Sequence, residues 1–312
     1  MQYDTFELPI ELDGERIDKV LAELYPDQSR SFFQKLIRHH DVLLEHQPVN
    51  KTGQAVKGGD LIEICFPEQT ASQIVPEDIP LSILYEDEDL LIVDKPKGMV
   101  VHPAPGHFTG TLVNAVLFHC KEGLSGINGE IRPGIVHRID KDTTGSLIVC
   151  KNDLAHASVS EQLRAHTIKR IYRGIVCGIV KNDTGTIDAP IGRSRKDRKK
   201  MAVLTRQEMI QGSSGREAVT HFRVLKRFSE TTYCEFQLET GRTHQIRVHM
   251  ASIGHPLYGD TVYGGEKNAH GTRGQTLHAM TIGLIHPRTG NYLEIEAPLP
   301  AYFSDLLQKF CE

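Results

Sequence analysis

The sequence predicts an α+β protein in two parts: a small α/β unit over residues 1–66 and a larger domain over 81–312 built on a mixed, mostly antiparallel sheet. Three observations carry this. Apolar residues recur at helical spacing twice before residue 40, and short strand-like runs follow. Residues 67–80 then hold Pro67, Pro76 and Pro80 without sustained periodicity, which marks a linker. Beyond Leu81, strand-like runs outnumber helical ones, and their connections favour antiparallel pairing. A length of 312 residues also agrees with two domains at the usual ~150 each.

In the first unit Ile17, Val20, Leu21 and Leu24 share one helical face, and Pro26 ends the run. Ser29 is placed to cap a second helix with Phe32, Phe33, Leu36 and Ile37 on its apolar face. Arg30, Lys35, Arg38 and His39 make the rest of that helix cationic. Val42–Leu44 and Leu61–Ile64 read as strands, joined by a loop that ends Lys57-Gly-Gly-Asp60. In the larger part Leu90–Val93 and Ile171–Val180 are strand-like, and residues 154–166 form the clearest helix. Cys234, Phe236 and Leu238 alternate with Glu235, Gln237 and Glu239, as in a half-buried strand.

Hydrophobic content of 39% with 24% charged residues is that of a soluble globular protein. No apolar run approaches the ~20 residues that span a bilayer. The N-terminus, Met-Gln-Tyr-Asp-Thr-Phe-Glu, lacks the basic-then-apolar pattern of a signal peptide, so a cytoplasmic location is expected and no membrane partner. The cysteines form no Cys-x-x-Cys pair, and no Cys or His residues show zinc-ligand spacing, so neither a disulfide framework nor a metal is expected. A net charge of −4 would disfavour nucleic acid if it were evenly spread. It is not: Arg193, Arg195, Lys196, Arg198, Lys199 and Lys200 crowd one stretch, while acid gathers in Glu77-Asp78 and Glu86–Asp89. Such a block is either a solvated loop or a polyanion contact.

The segment from Gly134 to Cys150 is the most informative. Ile135-Val136 and Leu147–Val149 read as strand ends, and between them lie His137, Arg138, Asp140, Lys141, Asp142, Thr143, Thr144 and Gly145. A polar loop held by strands on both sides is a rigid mount for chemistry, although a solvated charged turn has the same composition. A second segment runs from Glu239 to Met250. Thr243 is a plausible N-cap, Ile246, Met250 and Ile253 give an apolar stripe, and Gly254 with Pro256 ends the helix. Arg242 and Arg247 then sit at the helix N-terminus, where the macrodipole favours anions by ~0.3–1 kcal/mol. A carboxylate or a phosphate must offset them. Tyr172, in the basic run Lys169–Arg173, reads as an ordinary strand tyrosine or as a functional one.

Two resemblances organise these motifs. The first unit resembles the S4 RNA-binding domain through Arg16-Ile-Asp18, Ser29-Arg30 and Gly59-Asp60. Its usual Asn-Gly hairpin is replaced by Glu45-His46, which disfavours the turn. The ordered motifs along nearly the whole chain, from the S4-like unit to Leu277-His-Ala279 and Ala297-Pro298, resemble the RluA family of pseudouridine synthases. The catalytic signature is His137-Arg138-Ile139-Asp140-Lys-Asp-Thr143-Thr144-Gly145, with Ile and Thr at two positions where the family has Leu and Ser. The S4-like unit, the loop Val101-His-Pro-Ala-Pro-Gly106 and the long motif from Arg242 to Met250 point to the RluD type.

The resemblance implies a pseudouridine synthase domain with a central cleft, acting without cofactor or metal on 23S rRNA or the large ribosomal subunit, in the helix 69 loop, as a monomer. It assigns Asp140 as the catalytic carboxylate, Tyr172 as the active-site tyrosine and Arg247 as the partner of Asp140. It places Arg138 by the vacated base stack, with His137, Thr144, Arg242 and His244 also at the substrate. Phosphate contacts fall to Arg30, Lys35 and Arg38 and to Arg193, Arg195, Lys196, Arg198 and Lys199. Other uridines of the same RNA, or transfer RNA, remain open as targets. So do a non-catalytic ribosome-assembly factor and a hydrolase pairing Asp140 with Asp142.

Overall fold

The computed structural model describes residues 2–25, 30–66, 74–103, 107–121, 124–125, 133–197, 200–210 and 214–312. The chain divides into two compact units, Met1–Ser72 and Gln73–Glu312.

The first unit runs β1 (Gln2–Glu7), α1 (Ile17–Leu24), α2 (Arg30–Arg38), β2 (Val42–Leu44), β3 (Gln47–Pro48) and β4 (Leu61–Phe66). Its sheet is antiparallel in the order β1-β4-β2-β3. Most residues that set the helical spacing are buried: Ile17, Val20 and Leu21 pack with Phe33, Leu36, Ile37, Ile62 and Ile64, while Leu24, at the end of α1, is exposed. Pro26 and Ser29 lie outside the described residues. β1 has no apolar run of its own and forms against the edge of β4, in register from Gln2↔Phe66 to Glu7↔Leu61. The hairpin that Glu45-His46 disfavours forms nonetheless, with both residues left-handed at φ 50° and 61°. Glu45 Oε1 accepts from the Leu61 N–H at 2.7 Å and His46 Nδ1 lies 2.6 Å from Glu63, which offsets the backbone cost.

Asp18 is buried in this unit and accepts from Arg16, Arg30 and Gln34. Burial acts to raise its pKa, but these hydrogen bonds and the Arg30 charge outweigh it and hold the carboxyl well below the usual range. Arg30, expected at phosphate, grips Asp18 through Nε and Nη2, both at 3.1 Å, while its side chain stays half exposed. A buried carboxylate outcompetes solvent for that guanidinium. Arg30, Lys35 and Arg38 are the exposed cations of α2.

The second unit runs β5 (Ile83–Glu86), β6 (Leu90–Lys95), α3 (Leu112–Cys120), β7 (Thr144–Cys150), α4 (Asp153–Arg164), β8 (Lys169–Cys177), β9 (Thr184–Asp188), β10 (Ile191–Arg193), β11 (Met201–Val203), α5 (Arg206–Ile210), β12 (Gly215–Arg216), β13 (Val219–Arg227), β14 (Thr231–Leu238), α6 (Gln245–Ser252), α7 (Thr261–Gly264), β15 (Leu277–Ile285), β16 (Tyr292–Glu296) and α8 (Ala301–Lys309). One large sheet has the order β5-β6-β7-β15-β8-β14-β13-β9, with β16 beside β15, while β11-β10-β12 form a small sheet. The continuous apolar runs of β6 and β7 are explained by burial on both faces. Leu91, Val93, Leu147 and Val149 meet Leu112, Val113 and Val116 of α3. Leu90, Ile92, Ile148 and Cys150 meet Ala155 and Val159 of α4. Two ends differ from the sequence reading. α4 stops at Arg164, with His166 left-handed at φ 58°, and β8 ends at Cys177 before Gly178 at φ 77°. Among the described residues no helix is long and apolar enough to cross a membrane.

Every pairing in the large sheet is antiparallel except β7 with β15, which run parallel through His278↔Thr144 and Ala279↔Gly145. Gly145 is required there. Its φ is +107°, and a Cβ would stand 2.3 Å from the Ala279 carbonyl oxygen. Overpacking costs ~1–3 kcal/mol and left-handed backbone another ~1–2. Gly145→Ala is therefore expected to lower unfolding free energy by about 3 kcal/mol in urea titrations; an unchanged midpoint would show that the strands can part without cost.

Candidate active site

The loop before β7 is mounted differently from the sequence reading. Ile135 makes only an isolated bridge to Val149, so the incoming side is extended chain and not a strand. Other ties supply the rigidity. Lys95 Nζ, fully buried, donates to the carbonyls of Pro96 at 2.9 Å, Met99 at 2.9 Å and Lys141 at 3.0 Å. Burial pushes that ammonium down to about 8, against the pull of Asp142, Asp140 and Asp94. Gly98 N–H also donates to the Lys141 carbonyl, Thr143 N–H to that of Asp140, and Gln275 Nε2 to Thr143 Oγ1 at 3.0 Å.

Two residues expected at substrate hold the loop instead. His137 Nε2 accepts from the Ile148 N–H at 2.9 Å, which leaves its proton on Nδ1. Burial, with the Arg170 charge adding, pushes His137 down to about 3. Thr144 is buried in the β7–β15 junction, its Oγ1 2.8 Å from His278 Nδ1. Neither lines the cavity described below.

α6 begins at Gln245. His244, left-handed at φ 57°, occupies the cap position that Thr243 was expected to fill, and makes no side-chain cap bond. Gln245 closes the turn: its Oε1 accepts from the Arg242 N–H and from Thr240 Oγ1. Arg247 lies in the first turn of α6 and is buried. The anion its position demands is present twice. Asp260 takes Nε at 2.7 Å and Nη2 at 3.0 Å, and Asp140 Oδ2 takes Nη1 at 3.0 Å. The Tyr263 ring lies 5.1 Å from the guanidinium, within cation–π range. Burial acts to lower the Arg247 pKa, but hydrogen bonds to Asp260 and the charges of Asp140 and Asp260 prevail and raise it. Asp260 escaped the sequence reading. Its signal, an acid opening the short helix α7 after Gly259, reads as a cap, and it is also that, accepting from the Val262 and Tyr263 N–H groups.

Asp140 thus has one oxygen held while its other lies 3.7 Å from His244 Nε2. His244 Nδ1 is 2.7 Å from the Tyr263 hydroxyl. Burial lowers the His244 pKa against the pull of Asp140, so its ring is mainly neutral at pH 7. These groups front a cavity of about 60 Å³ with Arg138, Thr143, Tyr172, Arg242 and Leu277. At ~10–15 Å³ per water that is room for roughly four to six waters. Arg138 is the exposed member of the lining. Burial raises the Tyr172 pKa, with Arg170 opposing and Asp140 adding, which keeps the phenol protonated. The structure therefore brings Asp140, Arg247, Tyr172, Arg138, Arg242 and His244 to one site.

Of the basic block, Arg193 ends β10 and Arg195 with Lys196 follows it. Arg198 and Lys199 lie outside the described residues, as do 104–106 of the Val101–Gly106 loop. Asp87, Asp89 and His286 come close enough together to share a metal ion. They are satisfied internally: Arg288 grips Asp89, and Tyr85 and His286 bond Asp87.

Residues 89–252 match the family model described as RNA pseudouridylate synthase, and residues 15–62 match the S4 domain. An RNA pseudouridine synthase of Bacillus subtilis (strain 168) is 52% identical over 298 residues, covering 96% of this chain and 95% of the relative. The ribosomal large subunit pseudouridine synthase D of Zymomonas mobilis is 44% identical over 312 residues, covering 96% and 95%. The solved structure of human RNA pseudouridylate synthase domain containing 1 superposes with a TM-score of 0.60 at 22% identity, over 75% of this chain and 96% of that one. That likeness concerns the fold.

Two outcomes are expected. Asp260→Ala leaves the buried Arg247 with Asp140 alone, and breaking such a pair costs ~3–5 kcal/mol; a urea midpoint equal to wild type would show that Arg247 finds water instead. For His137, the unfolded chain takes up a proton as pH falls through about 6.5 while the folded ring resists it to about 3. Stability from this group is complete above pH 6.5 and declines through that window by up to ~1.4 kcal/mol per unit. His137→Gln should flatten the fall in urea midpoint between pH 6.5 and 4.5; parallel curves for both proteins would refute the assignment.

Proposed function

The chain belongs to the RNA pseudouridylate synthase family, and on that premise we propose that it isomerises uridine to pseudouridine in large-subunit ribosomal RNA, in the helix 69 loop, with Asp140 as the acting carboxylate. The observation that carries the reading is Asp140 Oδ2 held at 3.0 Å by Arg247 on the wall of the cavity that Tyr172 also lines. Relatives named ribosomal large subunit pseudouridine synthase D, at 42–44% identity, support the RNA. So does the S4 domain, with Lys35 and Arg38 as backbone contacts. The enzyme works as a cytoplasmic monomer.

The reaction breaks the N1–C1′ bond, turns the uracil and joins C1′ to C5, with C5 losing a proton and N1 taking one up. Atoms are conserved, so the isomerisation calls for no co-reactant. The target base leaves its stack at a cost of ~a few kcal/mol, and Arg138, exposed at the cavity mouth, fills the vacated place. Tyr172 packs on the uracil with its hydroxyl near C5, where the proton departs. Arg247 fixes Asp140 to act either as nucleophile at C1′ or C6, or as base at C2′. Asp140→Asn keeps the shape and a hydrogen bond from Arg247 but removes the reactive charge. Tritium release from C5-labelled large-subunit rRNA transcripts is expected to vanish while RNA binding persists; normal release by this variant would overturn the proposal.

A further inference from the structure

We infer that a second cavity beside the uridine site is a phosphate subsite, which holds the backbone phosphate next to the target uridine in the same RNA strand. The inference rests on the function just proposed. The cavity measures about 420 Å³, within the ~300–1,000 Å³ of small-ligand sites. Its walls come from the small sheet of β10, β11 and β12 and from the turn that leads into α6. Three arginines, Arg193, Arg216 and Arg242, line it with Ser214 and Thr243, and no acidic residue is among its described walls. Guanidiniums match phosphate oxygens bidentately, whereas a cation would be repelled and an apolar ligand would have to desolvate all three.

Adjacency to the reaction is fixed by one side chain. Arg242 lines both this cavity and the one holding Asp140. A group bound between Arg216 and Arg242 therefore lies within one arginine's reach of the target nucleoside. The turn carrying Arg242 is braced from behind. Arg170 Nη2 donates to the Glu239 carbonyl at 2.8 Å, and a Cβ on Gly241 would stand 2.7 Å from Arg170 Nη1. Arg242 Nε donates to the Glu217 carbonyl, next in sequence to Arg216. Arg242 is thus tied to the segment that carries Arg216 before RNA arrives. A subsite that reads phosphate and no base edge sets the strand's path and is indifferent to the neighbouring base.

The test keeps the two levels apart. Tritium release by the wild-type protein from large-subunit rRNA transcripts reports the function alone; its absence on any RNA overturns that function and the subsite with it. The subsite is read in a synthetic RNA hairpin that the wild type modifies, with single methylphosphonates at each phosphate flanking the target. One position is expected to raise wild-type KM roughly 10- to 100-fold, the range for one hydrogen bond to a charged group, with kcat unchanged. The same substitution should add nothing in Arg216→Ala, and Arg216→Lys should restore part of the effect. Arg216 is exposed and bonds β10 through its backbone, so the side-chain change leaves the fold intact. Additive effects at every position, or an Arg216→Ala variant with wild-type KM, would overturn the subsite.

Discussion

A guanidinium buried in the first turn of a helix is the constraint from which the site follows. Two costs compete at Arg247. The macrodipole disfavours it by at most ~1 kcal/mol, whereas desolvating the charge costs several. The second cost dominates, so the structure supplies a full bidentate partner, Asp260, before anything else. Only Nη1 remains, and it takes one oxygen of Asp140. Had Asp140 been the bidentate partner, both its oxygens would be spent on the guanidinium. The division of labour keeps Asp140 oriented yet with its second oxygen facing the cavity.

The position of the site in the sheet has a topological cause. In an antiparallel sheet neighbouring strands enter from opposite edges, so the loops before them stay apart. β7 and β15 are the parallel exception, and the loops preceding both arrive at the same edge. Residues 140–143 and 274–276 therefore touch although more than a hundred positions separate them. Gln275 donates to Thr143 Oγ1, and Gly274 lies so near Asp142 that a Cβ would be 2.5 Å from its carboxylate. Gly145 lets the two strands close, and Lys95 fastens the loop from beneath. The next strand, β8, sets Tyr172 opposite Ala279 and so beside the same edge.

What could be read without coordinates divides along these lines. The periodic burial of α1, α2 and β14 was legible because each element's own apolar spacing decides its inner face, and the strand β6 because a continuous apolar run fits burial on both faces. β1 was not, since its pairing is dictated by β4. That Arg247 needs an anion was legible from its helix position; that Asp260 takes the larger share was not, because a capping acid and a charge partner look alike in sequence. The resemblance placed His137 and Thr144 at substrate along with Asp140, their near neighbour in sequence. Adjacency misleads in extended chain, where successive side chains point to opposite sides. Arg138 and Asp140 front the cavity, while His137 turns back to β7 and Thr144 enters the junction with β15.

Net charge misleads in the same way, because it is a sum over the molecule while a phosphate senses charges within a Debye length, ~8–10 Å at ordinary salt. Many carboxylates of this chain are already answered by specific cations: Asp18 by Arg16 and Arg30, Asp89 by Arg288, Glu235 by Arg173 and Arg223. Such pairs cancel locally and add little field outside themselves. Arg138 and Arg242 at one cavity, and Arg193, Arg216 and Arg242 at the next, make a run of guanidiniums whose described walls offer a single carboxylate, Asp140. A polyanion following that run meets a positive path that turns negative only where Asp140 stands. A sum of −4 over the molecule therefore does not bar a polyanion from that path. On the proposed function, the one acid on the path is the group that acts on what the arginines hold.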